Sequence, residues 1–294
     1  MLISTKPLVV FIAMNMVLLT QPTQAEDNPW GVDISLAADK QDFNNGTINE
    51  KSFTVSPFYQ TDKWLFSANL PWQHEEIDTH KTVIAIRGPK GRLRLIPTDI
   101  TQEQLPNQSA RVKKHWLARI KRQANSSESN SGIGDVSLLA SHSLLFSDDQ
   151  SAQLKGSAIA KLDNGNEDDG LGSGTREYSV ELSADKLFDY GHLTAGAGYT
   201  FINSTNTSSV DADNTAYGYV DAALSPIRQL DIGLAYHYGQ ASYADEDNNS
   251  DVTYYLEFMP NKRYTARIYY LDNMSEESEF SSDKEYGASF TLHI

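Results

Sequence analysis

Alternation of apolar and polar residues with a period of two governs this chain from Trp30 to Ile294. Successive side chains of an extended strand point to opposite faces, so such alternation makes one face apolar and the other polar. Leu193, Ala195, Ala197, Tyr199 and Phe201 stand against Thr194, Gly196, Gly198 and Thr200. Leu230, Ile232, Leu234, Tyr236 and Tyr238 oppose Asp231, Gly233, Ala235 and His237, and Tyr264, Ala266, Ile268 and Tyr270 oppose Thr265, Arg267 and Tyr269. Twelve such runs follow one another, near 30–39, 50–59, 64–73, 132–146, 151–162, 175–187, 192–202, 215–224, 230–240, 252–259, 264–271 and 284–294.

The connections separate a membrane barrel from a soluble sandwich. Even-numbered runs end in short breaks such as Gln60–Lys63, Ser147–Gln150 and Pro260–Arg263, whereas odd-numbered runs lead into longer loops rich in Asn, Asp, Ser and Gly. Short periplasmic turns alternating with long outer loops belong to a barrel with both termini inside, and single-chain outer-membrane barrels have an even strand count. Aromatics near the run ends, among them Trp30, Tyr59, Trp64, Trp72, Tyr190, Tyr236, Tyr264 and Tyr286, suit headgroup-level girdles. The expected fold is therefore all-β: a transmembrane antiparallel up-and-down β-barrel of about 12 strands, carrying one folded extracellular insert.

Composition alone points elsewhere, since only 39% of residues are hydrophobic. Alternating lipid-facing and lumen-facing residues average out, so a barrel is expected to look soluble by this measure. Residues 1–25, with Lys6, an apolar run from Leu8 to Leu19 and a polar end at Ala25, read as a secretory signal peptide. Residues 26–294 would form the barrel in the cell outer membrane of a Gram-negative cell. There is no cysteine, and the formal charge of −15 disfavours nucleic acid as a partner. The final run, Glu285-x-Gly287-x-x-Phe290-x-Leu292, resembles the signal by which barrels address the outer-membrane assembly machinery, with Ile294 where a terminal aromatic is usual.

The polar phase of the alternation nominates the inward residues. Lys155, Lys161, Glu181, Asp221, Asp231, His237, Glu257 and Arg267 are the lumen and selectivity candidates, with Asp33, Asn69, Asp135, Asp185 and Glu285 in the same phase. Acids are in excess. One reading has Lys155, Lys161 and Arg267 neutralise nearby carboxylates and stiffen the barrel; the other makes these residues a substrate-selecting stripe.

Residues 74–130 stand apart. From Lys81 to Arg122 eleven Lys and Arg face only Asp99 and Glu103. Residues 82–86 and 92–96 read as a hairpin, and Arg111–Gln123 as a basic amphipathic helix. This insert, with Arg87, Arg92, Arg94, Lys113, Lys114 and Arg119 as its candidate residues, falls on the extracellular side between the third and fourth strands. It would either cap the acidic mouth or rest on anionic lipid and lipopolysaccharide.

Ser131-Gly-Ile-Gly-Asp-Val-Ser-Leu138, Lys161-Leu-Asp-Asn-Gly165, Gly170-Leu-Gly-Ser-Gly174 and Leu182-Ser-Ala-Asp-Lys-Leu187 resemble segments of the proteobacterial barrels grouped as the MetA-pathway of phenol degradation family. The resemblance covers roughly Ser131 to Tyr238 and departs from the family at Asp163-Asn164-Gly165 and in the basic insert. It implies a channel or transporter taking up small, hydrophobic or aromatic compounds. Rival readings are a barrel enzyme acting on membrane lipid and a non-transporting surface barrel. The tyrosine, Ser-Asn-Gly and Arg-Trp-Asn segments of outer-membrane phospholipase are missing, and neither His142 nor His237 has an acid and a nucleophile at a familiar spacing. No enzyme activity, cofactor or dedicated metal site is expected. The clusters Glu167–Asp169, Asp245–Asp247 and Glu276–Glu279 lack calcium-loop spacing, which leaves divalent binding at the loops open.

Overall fold

The computed structural model describes residues 29–43, 46–79, 83–87, 93–97, 129–149, 151–166, 171–204, 212–242, 248–274 and 282–294. Its strands are β1 (Trp30–Phe43), β2 (Gly46–Gln60), β3 (Trp64–Thr79), β4 (Val83–Arg87), β5 (Leu93–Pro97), β6 (Ser129–Ile133), β7 (Ser137–Phe146), β8 (Ala152–Lys161), β9 (Thr175–Phe188), β10 (Gly191–Ser204), β11 (Thr215–Ile227), β12 (Leu230–Gly239), β13 (Asn249–Asn261), β14 (Tyr264–Asn273) and β15 (Ser282–His293). All pairings are antiparallel. From β7 to β15 each strand pairs with its sequence neighbour, and β15 returns to β1 in register from Asp33↔His293 to Asp42↔Lys284. Reciprocal backbone bonds between Val32 and Ile294, 2.9 and 3.0 Å, finish the seam.

Two short strands make one wall segment. β6 and β7 both pair with β3, one after the other, across a break at residues 134–136. The break faces Pro71, which has no N–H to give to a ladder; Gly134 N donates to Pro71 O there at 3.0 Å. Counting β6 with β7, the closed barrel has twelve staves, each on one of the twelve alternating runs. β4 and β5 form a separate hairpin, from Val83↔Pro97 to Arg87↔Leu93, one residue beyond the span expected from the sequence.

The strands reach further outward than alternation suggests. β1 and β2 run on to Phe43 and Gly46, so the first outer connection has two residues instead of the ten or so expected. The reason is chemical. Beyond Asp39 and before Glu50 the outward residues Lys40, Asp42, Thr47 and Asn49 are polar, because the exterior there no longer meets hydrocarbon, and the two-fold pattern fades although Ile48 stays buried inside and the ladder continues from Asp39↔Glu50 to Phe43↔Gly46. Lys40 and Asp42 pair at 3.2 Å on this outer extension.

Burial divides the two faces as a barrel requires. In β12 and β13 exposed residues such as Ile232, Leu234, Tyr254 and Leu256 alternate with buried Asp231, Ala235, Thr253 and Tyr255. Large apolar side chains cover the exterior, from Leu36 on β1 to Phe290 on β15, while the fully enclosed side chains are largely polar. That is the inverse of a soluble core and suits hydrocarbon outside and water inside. Aromatics gather toward both ends. Trp30 meets Tyr59 at 4.9 Å near the short turns, and Tyr199 meets Phe201 at 5.0 Å toward the outer end.

Candidate functional site

The lumen wall is built from the polar phase of each stave. Every lumen candidate named from the sequence occupies an inward register position, and the structure brings most of them into direct contact with one another or with neighbours. Close to the short turns the contacts are between acids and bases. Lys155 Nζ on β8 lies 2.6 Å from Asp185 on β9, and Arg267 on β14 is 3.9 Å from Glu257 on β13. The Arg267 guanidinium also sits 4.0 Å over the Tyr255 ring, a cation–π contact. His293 Nδ1 lies 2.8 Å from Asp33. Asp231 accepts from Ser225 Oγ at 2.6 Å and lies 4.0 Å from His192.

Higher on the wall the acids meet phenols. Glu181 on β9 accepts from Tyr217 and Tyr219 on β11, each at 2.9 Å and each on a different carboxylate oxygen. Asp221 on β11 accepts from Tyr255 on β13 at 2.7 Å, with His192 3.6 Å away. Tyr269 Oη on β14 lies 2.6 Å from Asp39 on β1 and 2.7 Å from Glu285 on β15. In each case the tyrosine spans an intervening strand, and that strand offers glycine beneath the ring: Gly198 and Gly196 under Tyr217 and Tyr219, Gly233 under Tyr255, Gly287 under Tyr269. A Cβ at Gly196 would come within 2.6 Å of the Tyr219 hydroxyl. Only glycine lets these rings lie along the wall.

Asp135 organises the outer mouth beside β8 and β9. One carboxylate oxygen accepts from Gly165 N at 2.9 Å and Asn164 N at 3.3 Å; the other accepts from Ser173 N at 2.9 Å and Ser173 Oγ at 2.8 Å. Lys161 donates to Ser173 Oγ at 2.5 Å and to Glu177, and its ammonium is 3.8 Å from Asp135. Leu171 is buried against Gly132, whose Cβ would meet its methyl at 2.6 Å. Gly132 faces inward because Ile133 faces out, so the connection after β8 folds back onto the inner wall. The glycine-rich segments at 131–138, 161–165 and 171–174 thus meet around one carboxylate.

His237 pairs with Asp251 at 3.1 Å, and its ring lies 6.0 Å from Tyr219. His142 faces outward and packs edge-on against Trp64 at 4.3 Å. Of the insert candidates, Arg87 and Arg94 lie on β4 and β5, where only the backbone is described, and Arg92, Lys113, Lys114 and Arg119 lie outside the described residues. The helix expected at 111–123, the leader and the three acidic loop clusters also lie outside them. Among the described residues no group of three or more His, Cys, Asp or Glu is arranged to hold a metal ion.

The tyrosines were not among the residues nominated from the sequence. Their signal was present in the run of inward glycines, Gly196, Gly198, Gly233 and Gly287, since a lumen wall missing side chains at those points invites a large neighbour to cover it.

No family model matches the chain, and no curated protein matches it. Solved structures do. The COG4313 outer membrane channel from Pseudomonas putida F1 superposes with a TM-score of 0.62 over 93% of this chain and 99% of its own, at 9% identity. The NanC porin superposes with a TM-score of 0.52 over 88% of this chain and 98% of its own, at 8% identity. At such identities the likeness is one of fold: this chain is a twelve-stranded barrel of the outer-membrane type.

Proposed function

We propose that the protein is a passive channel of the outer membrane that passes small molecules through its lumen. The observation that carries this reading is the inside-out distribution of polarity: an apolar exterior closed on itself, around a wall of charged side chains. Several of these keep a share of their surface open to the interior, about a fifth for Lys155 and Arg267 and 19% for Asp221. A wall meant only to be sealed would gain more from apolar packing than from buried charge, because desolvating ions is costly. The superposition with an outer membrane channel and a porin supports the same reading, and so does the resemblance around residues 131–238. A cargo of hydrophobic or aromatic compounds is what that resemblance adds. Lumen selectivity is assigned to Lys155, Lys161, Glu181, Asp221, Asp231, His237, Glu257 and Arg267.

Purified protein in planar bilayers tests the proposal. Stepwise conductance is expected, and its absence in both the full chain and a variant lacking residues 80–128 would overturn it. Comparing the two proteins also tests the expectation, drawn from charge alone, that the basic insert acts at the mouth. Unchanged conductance after the deletion would assign the insert to the lipid surface instead.

A further inference from the structure

We infer that the lumen selects cations over anions and that Glu181 and Asp221 set this preference; the inference deepens the channel reading and rests on it. A wall residue influences a passing ion through the charge it leaves uncompensated. Every inward Lys or Arg described is already committed to a carboxylate: Lys155 to Asp185 at 2.6 Å, Lys161 to Glu177 with Asp135 beyond, Arg267 to Glu257 at 3.9 Å. None remains to attract an anion.

Glu181 is held differently. Both its oxygens accept from phenols, at 2.9 Å each, and no basic side chain lies within ion-pair distance of it among the described residues. A phenol fixes a carboxylate in place and brings no positive charge, so the bonds orient the charge without cancelling it. Asp221 repeats the arrangement with Tyr255, and among the described residues the one base within ion-pair distance of it is His192, 3.6 Å away. The two carboxylates come from β9 and β11, Glu181 opposite Gly198 and Asp221 opposite Thr194 of β10, and what lies between them over the Gly196–Gly198 stretch is the uncharged rings of Tyr217 and Tyr219. Asp221 is open enough to meet water. The result is a negative belt at mid-height, where the low-dielectric wall of the barrel strengthens its field.

The test is the reversal potential of the full-length protein in planar bilayers under a potassium chloride gradient, for wild type, E181Q, E181Q/D221N and Y217F/Y219F. Wild type is expected to favour potassium over chloride severalfold, E181Q to lose part of that preference and the double variant most of it. Y217F/Y219F keeps the charge and should stay cation-selective, which separates loss of charge from loss of packing. Anion selectivity in wild type, or a double variant that behaves as wild type, would overturn the inference. Should wild type pass no current, the channel reading fails and the belt is read by equilibrium binding of terbium ions. Luminescence sensitised by the adjoining tyrosines, falling severalfold in E181Q/D221N, would sustain the inference, and equal emission from both proteins would end it.

Discussion

The lumen treats buried acids in two ways, and the difference follows height. Near the short turns, Asp33, Asp185 and Glu257 each face a base, His293, Lys155 and Arg267. In the belt above, Glu181, Asp221 and the pair Asp39 and Glu285 are held by Tyr217, Tyr219, Tyr255 and Tyr269. The first solution cancels charge at the cost of ordering two long ionic side chains. Where phenols alone hold a carboxylate, as at Glu181, the second brings no positive charge to it and requires geometry instead, because each tyrosine needs a glycine on the strand it crosses. Lys161 is the instructive exception, a base placed high on the wall where Asp135 and Glu177 converge on one loop. There the demand is for a fixed loop, and an ammonium tied to three oxygen-bearing neighbours supplies it.

Replacing that base should have the largest effect. Lys161→Met leaves Asp135 and Glu177 buried without their cation, and removing one partner of a buried pair costs about 3–5 kcal/mol. The expected outcome is a clear drop in the urea midpoint of the refolded barrel; a midpoint within error of wild type would show that the loop holds without the ammonium. Gly233→Val comes next. Any side chain there enters the space of the Tyr255 ring, and overpacking of this kind costs about 1–3 kcal/mol. Gly218, whose Cβ would approach nothing closer than 3.4 Å, should tolerate alanine far better, so the contrast between the two glycines is the measurement.

Tyr255→Phe keeps the ring and deletes the bond to Asp221. A hydrogen bond to a charged acceptor contributes about 1.5–3 kcal/mol, and the partial exposure of Asp221 places the effect at the low end. If belt and base pairs are distinct, cation preference should survive this change while Lys155→Met, which frees Asp185, should raise it. Equal selectivity in the two variants would erase the distinction between belt and base pairs.

The smallest effect lies outside the membrane. At the β7–β8 turn, bonds from the Ser147 hydroxyl and from the Ser151 hydroxyl and amide hold the Asp149 carboxyl well below the usual carboxylate range. A depressed value means that its contribution is complete above the unfolded-state value, about 3.9, and fades as pH falls below it. Unfolding midpoints measured from pH 5 downward should fall less steeply for Asp149→Asn than for wild type. Identical slopes would remove this turn from the acid response.

What sequence alone could resolve follows from the range of the interactions involved. The staves were legible because alternation is a property of one strand at a time, and the polar phase pointed Lys155, Asp231 and Arg267 inward without knowledge of any neighbour. The hairpin at 83–97 was legible for the same reason. The tyrosine contacts were not, since they join strands two apart and depend on registers that no single run contains. Asp135 was placed in the inward phase, yet its role required three segments to meet. The outer extensions of β1 and β2 escaped notice because alternation reports the membrane as much as the strand, and above the hydrocarbon it loses its contrast.

Tyr269 reaches from β14 over Gly287 of β15 to Asp39 of β1. No hairpin can form that bond by itself. It joins the penultimate strand to the first, and it can exist only after the ends of the chain have met. A slip of one residue at the seam would turn Asp39 toward lipid and leave the hydroxyl with Glu285 as its one remaining acid partner of the two. The contact therefore works as a check on closure: a barrel that has joined its ends wrongly is denied a bond that the correct one has, and the same atoms that line the passage also tell the finished wall from a misaligned one.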